Sequence, residues 1–391
     1  MSKKKNPYYP INQLCKVIDC EHKTAQYVEF SEYLVVRTNN VRNGILVLDN
    51  IKYTTKEGFI EWTQRAVPEY GDVFFTREAP AGETCLVPSG LKICMGQRMV
   101  LLRPNKDIIN PHFLSFYLTS KECRREIYQY VIGSTVTRIN IDDILQIKIF
   151  CPSIAEQEKI ASFLGAVDTR LNQLRRKREL LQTYKRGVMQ KLFSQEIRFK
   201  GAIGLPFPDW ERKKLQEITK INQGLQIAIS DRFTYQVEGG YFYITNEFLK
   251  PNSQTHYYIL NPPKRVLCDK DDILMTRTGN TGQVVTDVVG AFHNNFFKID
   301  YDRNKINKKF LLEFFKRDKI QYKILSLAGT STIPDLNHDD FYNLEIFIPV
   351  LAEQKKIANF LTAIDRKIET LSRQIDQTEQ FKKGLLQKLF V

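Results

Sequence analysis

Long apolar runs and paired cysteines are missing from this 391-residue sequence. No apolar segment approaches the roughly 20 residues that a membrane-spanning helix needs, and the lysine-rich residues 1–6 lack the apolar core of a signal peptide. Seven cysteines are scattered without a regular framework, which is typical of free thiols in a reducing compartment. These absences predict a cytoplasmic protein.

Recognisable catalytic motifs are also missing. Asn261-Pro-Pro-Lys264 resembles the Asn-Pro-Pro-aromatic loop of amino-methyltransferases, but lysine stands where an aromatic ring would stack on a flipped base. There is no phosphate-binding glycine loop ending in Lys-Ser/Thr, and Cys15, Cys20 and His22 lack a fourth metal ligand. The sequence therefore predicts no catalytic residues, no metal site and no cofactor. A methyltransferase or nuclease with strongly diverged motifs is the alternative among enzymes.

The charge is strongly positive, with 58 Lys and Arg against 44 Asp and Glu and a net charge of +14. Such a balance favours a polyanionic partner, with nucleic acid first and a membrane surface second. A hydrophobic fraction of 42% supports folded cores. The remaining alternative is a coiled-coil assembly protein whose basic charge serves only solubility.

The dominant feature is a helical segment that occurs twice. Residues 152–193 return without a gap as residues 349–390, a shift of 197, and both copies end in Gln-Lys-Leu-Phe. Both copies also begin with proline, Glu-Gln and Ile-Ala at the same spacing. A self-match of this length predicts an internally duplicated architecture.

Apolar residues in both copies recur at alternating steps of four and three, which is typical of a coiled-coil seam. About 40 residues would form a helix on the order of 60 Å long. We expect the copies to pair antiparallel within one chain; the alternative is two helices lying on separate cores. Lys185 and Lys382 occupy matching seam positions, where a charge can fix register. The predicted seam residues are Ile160, Leu164, Val167, Leu171, Leu174, Leu181, Ile357, Leu361, Ile364, Ile368, Leu371 and Ile375.

The helical copies divide the chain into four predicted segments. These are a globular domain at 1–151, a helix at 152–198, a second globular domain at 199–348 and a helix at 349–391. Each globular segment mixes short β-rich runs with one helical stretch, at about 111–132 and 308–327. We therefore predict an α/β fold of the mixed α+β kind, with a pseudo-twofold internal repeat.

Two loops of each globular segment have the composition of a DNA-binding surface. Thr-Arg at a strand end is followed by a turn that ends in glycine, and a Gly-Ser-Thr or Gly-Thr-Ser-Thr loop precedes the last strand. Arginine is the usual bidentate reader of guanine, and small hydroxyl residues bind phosphates. The alternative is an ordinary turn whose arginine forms a surface salt bridge; likewise, residues 22–24 are either a DNA-contacting loop or a solvated turn. The predicted DNA-binding residues are His22, Lys23, Thr24, Thr76, Arg77, Ser134, Thr135, Arg138, Thr276, Arg277, Asn280, Thr281, Thr330, Ser331 and Thr332.

The duplicated arrangement resembles the specificity subunit of type I restriction-modification systems. The helix openings at Pro152 and Pro349, the Phe207-Pro-Asp-Trp210 segment, Gly71-Asp-Val followed by Thr-Arg, and residues 20–24 carry this resemblance. The N-terminal half lacks a segment matching residues 207–210.

The resemblance implies a non-catalytic reader of double-stranded DNA. Each target recognition domain would read half of a split, asymmetric site through the major groove, and the paired helices would set the unread spacer. Two modification subunits, bringing S-adenosylmethionine, would methylate an adenine in each half. Two ATP-driven restriction subunits could join them.

Overall fold

The computed structural model describes residues 8–21, 26–201, 203–250, 253–329 and 334–390. The chain divides into two compact units. The first unit is Met1–Arg176 with Ser372–Val391, and the second is Lys177–Leu371. Each unit thus joins one globular domain to part of both long helices, whereas the four predicted segments follow the order of the chain. That four-segment division stays a prediction.

The first unit contains two four-stranded sheets, two two-stranded sheets and a set of helices. The central sheet has the order β2-β11-β8-β9, a second sheet has the order β10-β4-β7-β3, and β1 pairs with β12. The strands are β1 (Tyr8–Pro10), β2 (Cys15–Asp19), β3 (Tyr27–Val28), β4 (Tyr33–Val36), β5 (Val41–Arg42), β6 (Ile45–Leu46), β7 (Lys52–Thr54), β8 (Val73–Thr76), β9 (Thr84–Leu86), β10 (Lys92–Met95), β11 (Met99–Pro104) and β12 (Lys148–Phe150). The helices up to the first long one are α1 (Ile11–Leu14), α2 (Lys56–Trp62), α3 (Pro111–Thr119), α4 (Lys121–Tyr128), α5 (Ile141–Gln146) and α6 (Ile154–Phe193).

The second unit repeats the two four-stranded sheets and one two-stranded sheet. Its central sheet has the order β14-β21-β18-β19, a second sheet has the order β16-β15-β20-β17, and β13 pairs with β22. The strands are β13 (Glu211–Lys214), β14 (Thr219–Gln223), β15 (Gly240–Ile244), β16 (Tyr257–Leu260), β17 (Leu267–Cys268), β18 (Ile273–Thr276), β19 (Val284–Val285), β20 (Gly290–Phe292), β21 (Phe296–Tyr301) and β22 (Glu345–Ile348). The helices are α7 (Lys308–Phe315), α8 (Asp318–Leu327), α9 (His338–Tyr342) and α10 (Leu351–Leu389).

The strand pairing confirms a mixed α+β fold with an internal repeat. The central sheet of each unit is antiparallel, and each second sheet includes one parallel pair, β10 with β4 and β15 with β20. Thr76 lies opposite Met99 in the first unit, and Thr276 lies opposite Phe296 in the second. The two domains therefore share one register at their central strands.

The single helices predicted at 111–132 and 308–327 are wrong, because each is two shorter helices. Ser120 has extended backbone between α3 and α4, and its hydroxyl accepts the N–H of Cys123 at 3.1 Å. A serine in this role caps a new helix and ends the old one. Arg317 has extended backbone at the equivalent break between α7 and α8.

The long helices pair antiparallel within each unit, as predicted. In the first unit Asp168 contacts Lys382 at 2.6 Å and Arg175 contacts Glu379 at 2.6 Å, so residue numbers rise along α6 while they fall along α10. In the second unit Lys185 contacts Asp365 at 2.8 Å. The predicted seam residues are buried apart from Leu181 and Ile368, which are half-buried.

A buried glutamine fastens the start of each long helix to its globular domain. The Gln157 side chain accepts the Asn110 N–H at 2.8 Å and donates to the carbonyls of Ile108 and Pro152 at 3.1 and 2.8 Å. Gln354 makes the same three bonds, to Asn307, Lys305 and Pro349. Both glutamines are fully buried, so these bonds give each buried carboxamide its partners and tie it to the backbone of the globular domain. This explains why the Glu-Gln sequence opens both repeats.

Each long helix ends in a phenylalanine that packs on a globular domain. Phe390 lies 5.6 Å from Phe113 and 5.4 Å from Tyr117 between ring centres. Phe193 lies 5.2 Å from Phe310 in the second unit. Each unit therefore holds the start of one long helix through a glutamine and the end of the other through an aromatic ring. Along the described part of the chain, none of the helices is both long and apolar enough to cross a membrane.

Candidate nucleic-acid interface

The described parts of the two loops predicted to bind DNA lie side by side in each unit. We call residues 76–83 and 276–283 the arginine loops, and residues 133–139 and 329–336 the glycine loops. The Ile139 N–H donates to the Arg77 carbonyl at 2.9 Å, and the Leu336 N–H donates to the Arg277 carbonyl at 2.9 Å. Segments about 60 residues apart in sequence are thus joined into one surface, by the same bond in both units.

Each arginine loop is closed by backbone bonds that require glycine. The Gly82 N–H donates to the Thr76 carbonyl and the Gly282 N–H to the Thr276 carbonyl, both at 2.8 Å. Both glycines have positive φ, of 83° and 87°. A Cβ at Gly82 would lie 2.8 Å from Ile127, so both the backbone and the packing exclude larger residues.

The threonine hydroxyls of the arginine loops are used inside the chain. Thr76 is fully buried, and its Oγ1 donates to the Pro80 carbonyl at 2.7 Å and accepts the Glu83 N–H at 2.9 Å. Thr276 is equally buried and bonds to Asn280 and Gln283, while Thr281 lies against the carbonyl of Pro334 at 2.8 Å. This geometry gives the three threonines a role in closing the loop. Direct DNA contact by their hydroxyls stays a prediction that the burial does not favour.

Arg77 and Arg277 are both paired with a carboxylate. Arg77 Nη1 lies 3.2 Å from Asp19 Oδ1. Arg277 forms a two-bond pair with Asp335, at 3.0 Å from Nε and 2.6 Å from Nη2. The Arg277 hydrogen bond lowers the pKa of the Asp335 carboxyl. The alternative of a surface salt bridge is therefore what the structure contains at both arginines, and base reading by either stays a prediction that requires part of the guanidinium to be released.

The other described candidates face solvent. Ser134, Thr135 and Arg138 are exposed in the first unit, and Asn280 is exposed in the second. Among the described residues, the Arg138 guanidinium has no hydrogen-bond or ion-pair partner. Six predicted contacts, His22, Lys23, Thr24, Thr330, Ser331 and Thr332, lie outside the described residues.

Sequence reasoning missed one position beside the arginine loops. The Arg98 carbonyl accepts the Arg77 N–H at 2.8 Å, and the Asn295 carbonyl accepts the Arg277 N–H at 2.7 Å. Arg98 and Asn295 differ by 197, the shift of the long helices, whereas the arginine loops differ by 200. A three-residue gap in the self-alignment would have revealed the equivalence.

No group of three or more His, Cys, Asp or Glu among the described residues could hold a metal ion. All seven cysteines are buried free thiols. The candidate interface consists of guanidinium, carboxamide and hydroxyl groups on the loops of each unit, which is the chemistry that contacts phosphates and base edges in other proteins.

Comparison with known proteins identifies the class. The family model of the type I restriction modification DNA specificity domain matches residues 4–182 and again residues 208–380. The chain therefore belongs to this family, with one copy of the domain in each half, and the resemblance proposed from the sequence is confirmed. DNA sequence recognition as a specificity subunit is the function of this family.

The individual relatives agree. A Methanocaldococcus jannaschii protein, provisionally named type I restriction enzyme MjaX specificity subunit, is 29% identical over 357 residues, covering 86% of this chain and 82% of that protein. The MjaVIII specificity subunit of the same organism is 25% identical over 378 residues, covering 91% and 85%. The fold is similar to that of a type I restriction-modification S subunit from M. genitalium, with a TM-score of 0.61 at 16% identity and coverage of 100% and 98%.

Proposed function

We propose that this chain is a non-catalytic specificity subunit whose two units each read one half of a bipartite, asymmetric DNA site. The observation that carries the proposal is the repeated loop frame: the same backbone bonds at Arg77 and Arg277 hold loops of different sequence. An identical frame with different side chains suits two different half-sites. The net charge of +14 suits a DNA partner.

The partners follow from the family. One solved chain similar in fold, with a TM-score of 0.59 at 19% identity, comes from work on complex assembly and conformational transition of the type I R-M system. We infer that this chain assembles with two modification subunits, which bring S-adenosylmethionine, and in restricting systems with two restriction subunits. The adenine methylation belongs to those partners.

The test is a base-resolution map of adenine methylation, made in a host that has no adenine methylation of its own. The host would produce the modification subunits of the source organism, with and without the chain. We expect one bipartite, asymmetric motif that requires the chain. Methylation without the chain, or no motif when all subunits are present and assembled, would contradict the proposal.

Arg277 allows a sharper test within one half-site. Arg277→Ala should lower the discrimination between bases at one position of the second half-site by about 1 to 3 kcal/mol. The first half-site should be unchanged. Asp335→Asn is the matched control, because it removes the same ion pair but keeps the guanidinium. If both variants change the motif equally, Arg277 supports the loop and does not read a base.

A further inference from the structure

Arg98 and Asn295 stand at one structural position in the two units. Each is the residue before the strand that pairs with the arginine-loop strand, because Met99 lies opposite Thr76 and Phe296 lies opposite Thr276. Each carbonyl accepts the N–H of the loop arginine, at 2.8 and 2.7 Å. Arg98 and Asn295 therefore occupy equivalent register positions beside equivalent loops, although φ is 66° at Arg98 and is not positive at Asn295.

Arg98 is held in an orientation that leaves part of its guanidinium unused. Its Nε lies 3.1 Å from Glu78 Oε2, in the same arginine loop, and its side chain is 56% exposed. Neither terminal nitrogen has a partner among the described residues. Its φ of 66° is unusual for arginine, and such strain outside glycine is typical of functional positions. The two free nitrogens form the fork that binds guanine O6 and N7.

Asn295 offers a different group at the same position. Its backbone N–H donates to His293 Nδ1 at 3.1 Å, which fixes the turn. Its carboxamide is half-buried and makes no hydrogen bond to the described residues. A free carboxamide has one donor and one acceptor side, the pair that matches adenine N7 and N6.

We propose that this shared position reads one base in each half-site, with Arg98 contacting a guanine and Asn295 an adenine. The proposal rests on the proposed function, because it assumes that each unit faces DNA through its arginine loop. Asymmetry of the site would then arise in part from different residues at one repeated register position. A phosphate contact by Arg98 is the competing outcome, since arginine binds phosphates as readily as guanine.

The experiment exchanges the two residues in the complete complex with the modification subunits and maps adenine methylation at base resolution. Arg98→Asn should change the preferred base at one position of the first half-site from guanine to adenine. Asn295→Arg should change one position of the second half-site from adenine to guanine. Each exchange should reduce discrimination for the original base by roughly 10- to 100-fold. Asparagine tolerates positive φ, so Arg98→Asn suits the backbone.

Three further variants separate base reading from other roles. Arg98→Lys keeps the charge but loses the fork, so it should relax the guanine position while retaining methylation of the remaining motif. Lys92→Ala and Arg212→Ala remove exposed ion pairs with Glu32 and Glu345 elsewhere in the two units and should leave the motif unchanged.

The outcomes are distinct. If the wild-type complex gives no bipartite motif, the proposed function itself fails. If wild type gives a motif and Arg98→Asn and Asn295→Arg leave every position unchanged, the base-reading proposal is overturned while the proposed function stands. If Arg98→Lys matches wild type and Arg98→Asn lowers methylation evenly at all sequences, Arg98 contacts phosphate and the proposal is equally overturned.

Discussion

The seam lysines of the two units occupy the same repeat position but are neutralised by different groups. Lys185 lies 2.7 Å from Glu313 and 2.8 Å from Asp365. Lys382 lies 2.6 Å from Asp168 and 5.4 Å from the ring centre of Phe116. Asp365 and Asp168 are equivalent in the repeat, as are Glu313 and Phe116.

The difference shows which contacts of the seam lysines are shared by the two units. The ion pair between lysine and aspartate across the two long helices is common to both units. That the seam lysines fix helix register stays a prediction. The contact from the globular domain is a buried carboxylate in one unit and an aromatic face in the other. Burial alone would lower the pKa of Lys185, but the hydrogen bonds that its ammonium donates to Asp365 and Glu313 raise it, so the lysine stays charged.

A second pair of equivalent residues, Glu353 and Glu156, differs more strongly between the two units. Glu353 is fully buried and accepts bonds from Arg198 at 2.8 Å and from Trp210 Nε1 at 3.1 Å. Glu156, its equivalent, is exposed. Trp210 belongs to the segment that has no match in the N-terminal half, so the same glutamate is part of a buried network in only one unit.

The largest expected effect separates these two glutamates. Glu353→Ala should destabilise the second unit by about 3 kcal/mol, because it removes the buried carboxylate that pairs with Arg198 and leaves the Trp210 N–H without its acceptor. Glu156→Ala should change the free energy of unfolding by less than about 0.5 kcal/mol. Chemical denaturation of the full chain measures both, and equal losses would show that the buried network does not stabilise the unit.

Loss of the buried glutamine should destabilise the two units equally. Gln157→Ala and Gln354→Ala each remove three hydrogen bonds between a buried carboxamide and the backbone, so each should cost about 2 to 3 kcal/mol. The denaturation midpoints of the two variants give the comparison. A difference above about 1 kcal/mol would mean that the repeated bonds are not energetically equivalent.

Exchanging the neutralising group tests the seam lysines. Glu313→Ala should cost about 2 kcal/mol, because Lys185 keeps only Asp365. Glu313→Phe copies the residue of the first unit and should recover part of this loss through apolar burial and a cation–π contact. If Glu313→Phe is less stable than Glu313→Ala in thermal unfolding, the second unit cannot accommodate the aromatic contact that the first unit uses.

The smallest effect is a pH dependence confined to the second unit. Burial, together with the nearby Arg232 cation, lowers the pKa of His293 from 6.5 to about 4; the first unit has Gly96 at this position. Between these values the unfolded chain binds more protons than the folded chain, so the free energy of unfolding falls as pH falls from 6.5 to 4.

His293→Asn should flatten this pH dependence by about 1 kcal/mol over the same window, as measured by denaturation at several pH values. His112→Asn, at a histidine in the first unit whose ring bonds Tyr70 at 2.9 Å, serves as the control variant. An unchanged slope in His293→Asn would show that His293 takes up a proton equally in the folded and unfolded states.

The sequence alone determined the features that depend on local periodicity and on the internal repeat. Heptad spacing predicted the seam because burial along a helix pair depends on positions close in sequence. The shift of 197 predicted the duplication, and Thr-Arg with a following glycine predicted the arginine loops. The helix breaks at Ser120 and Arg317 were missed, because apolar periodicity continued across them while a cap and extended backbone ended the helices.

Only the tertiary structure decided what the loops contact. Pairing of Arg277 with Asp335, and of Arg77 with Asp19, joins residues 58 positions apart, and no spacing rule connects such partners. The position shared by Arg98 and Asn295 became visible through strand register, which depends on long-range backbone bonds. Sequence thus determined the helices and the repeat, because these follow from neighbouring residues. The folded sheets decided which side chains of the candidate interface remain unpaired, because that depends on residues brought together from distant parts of the chain.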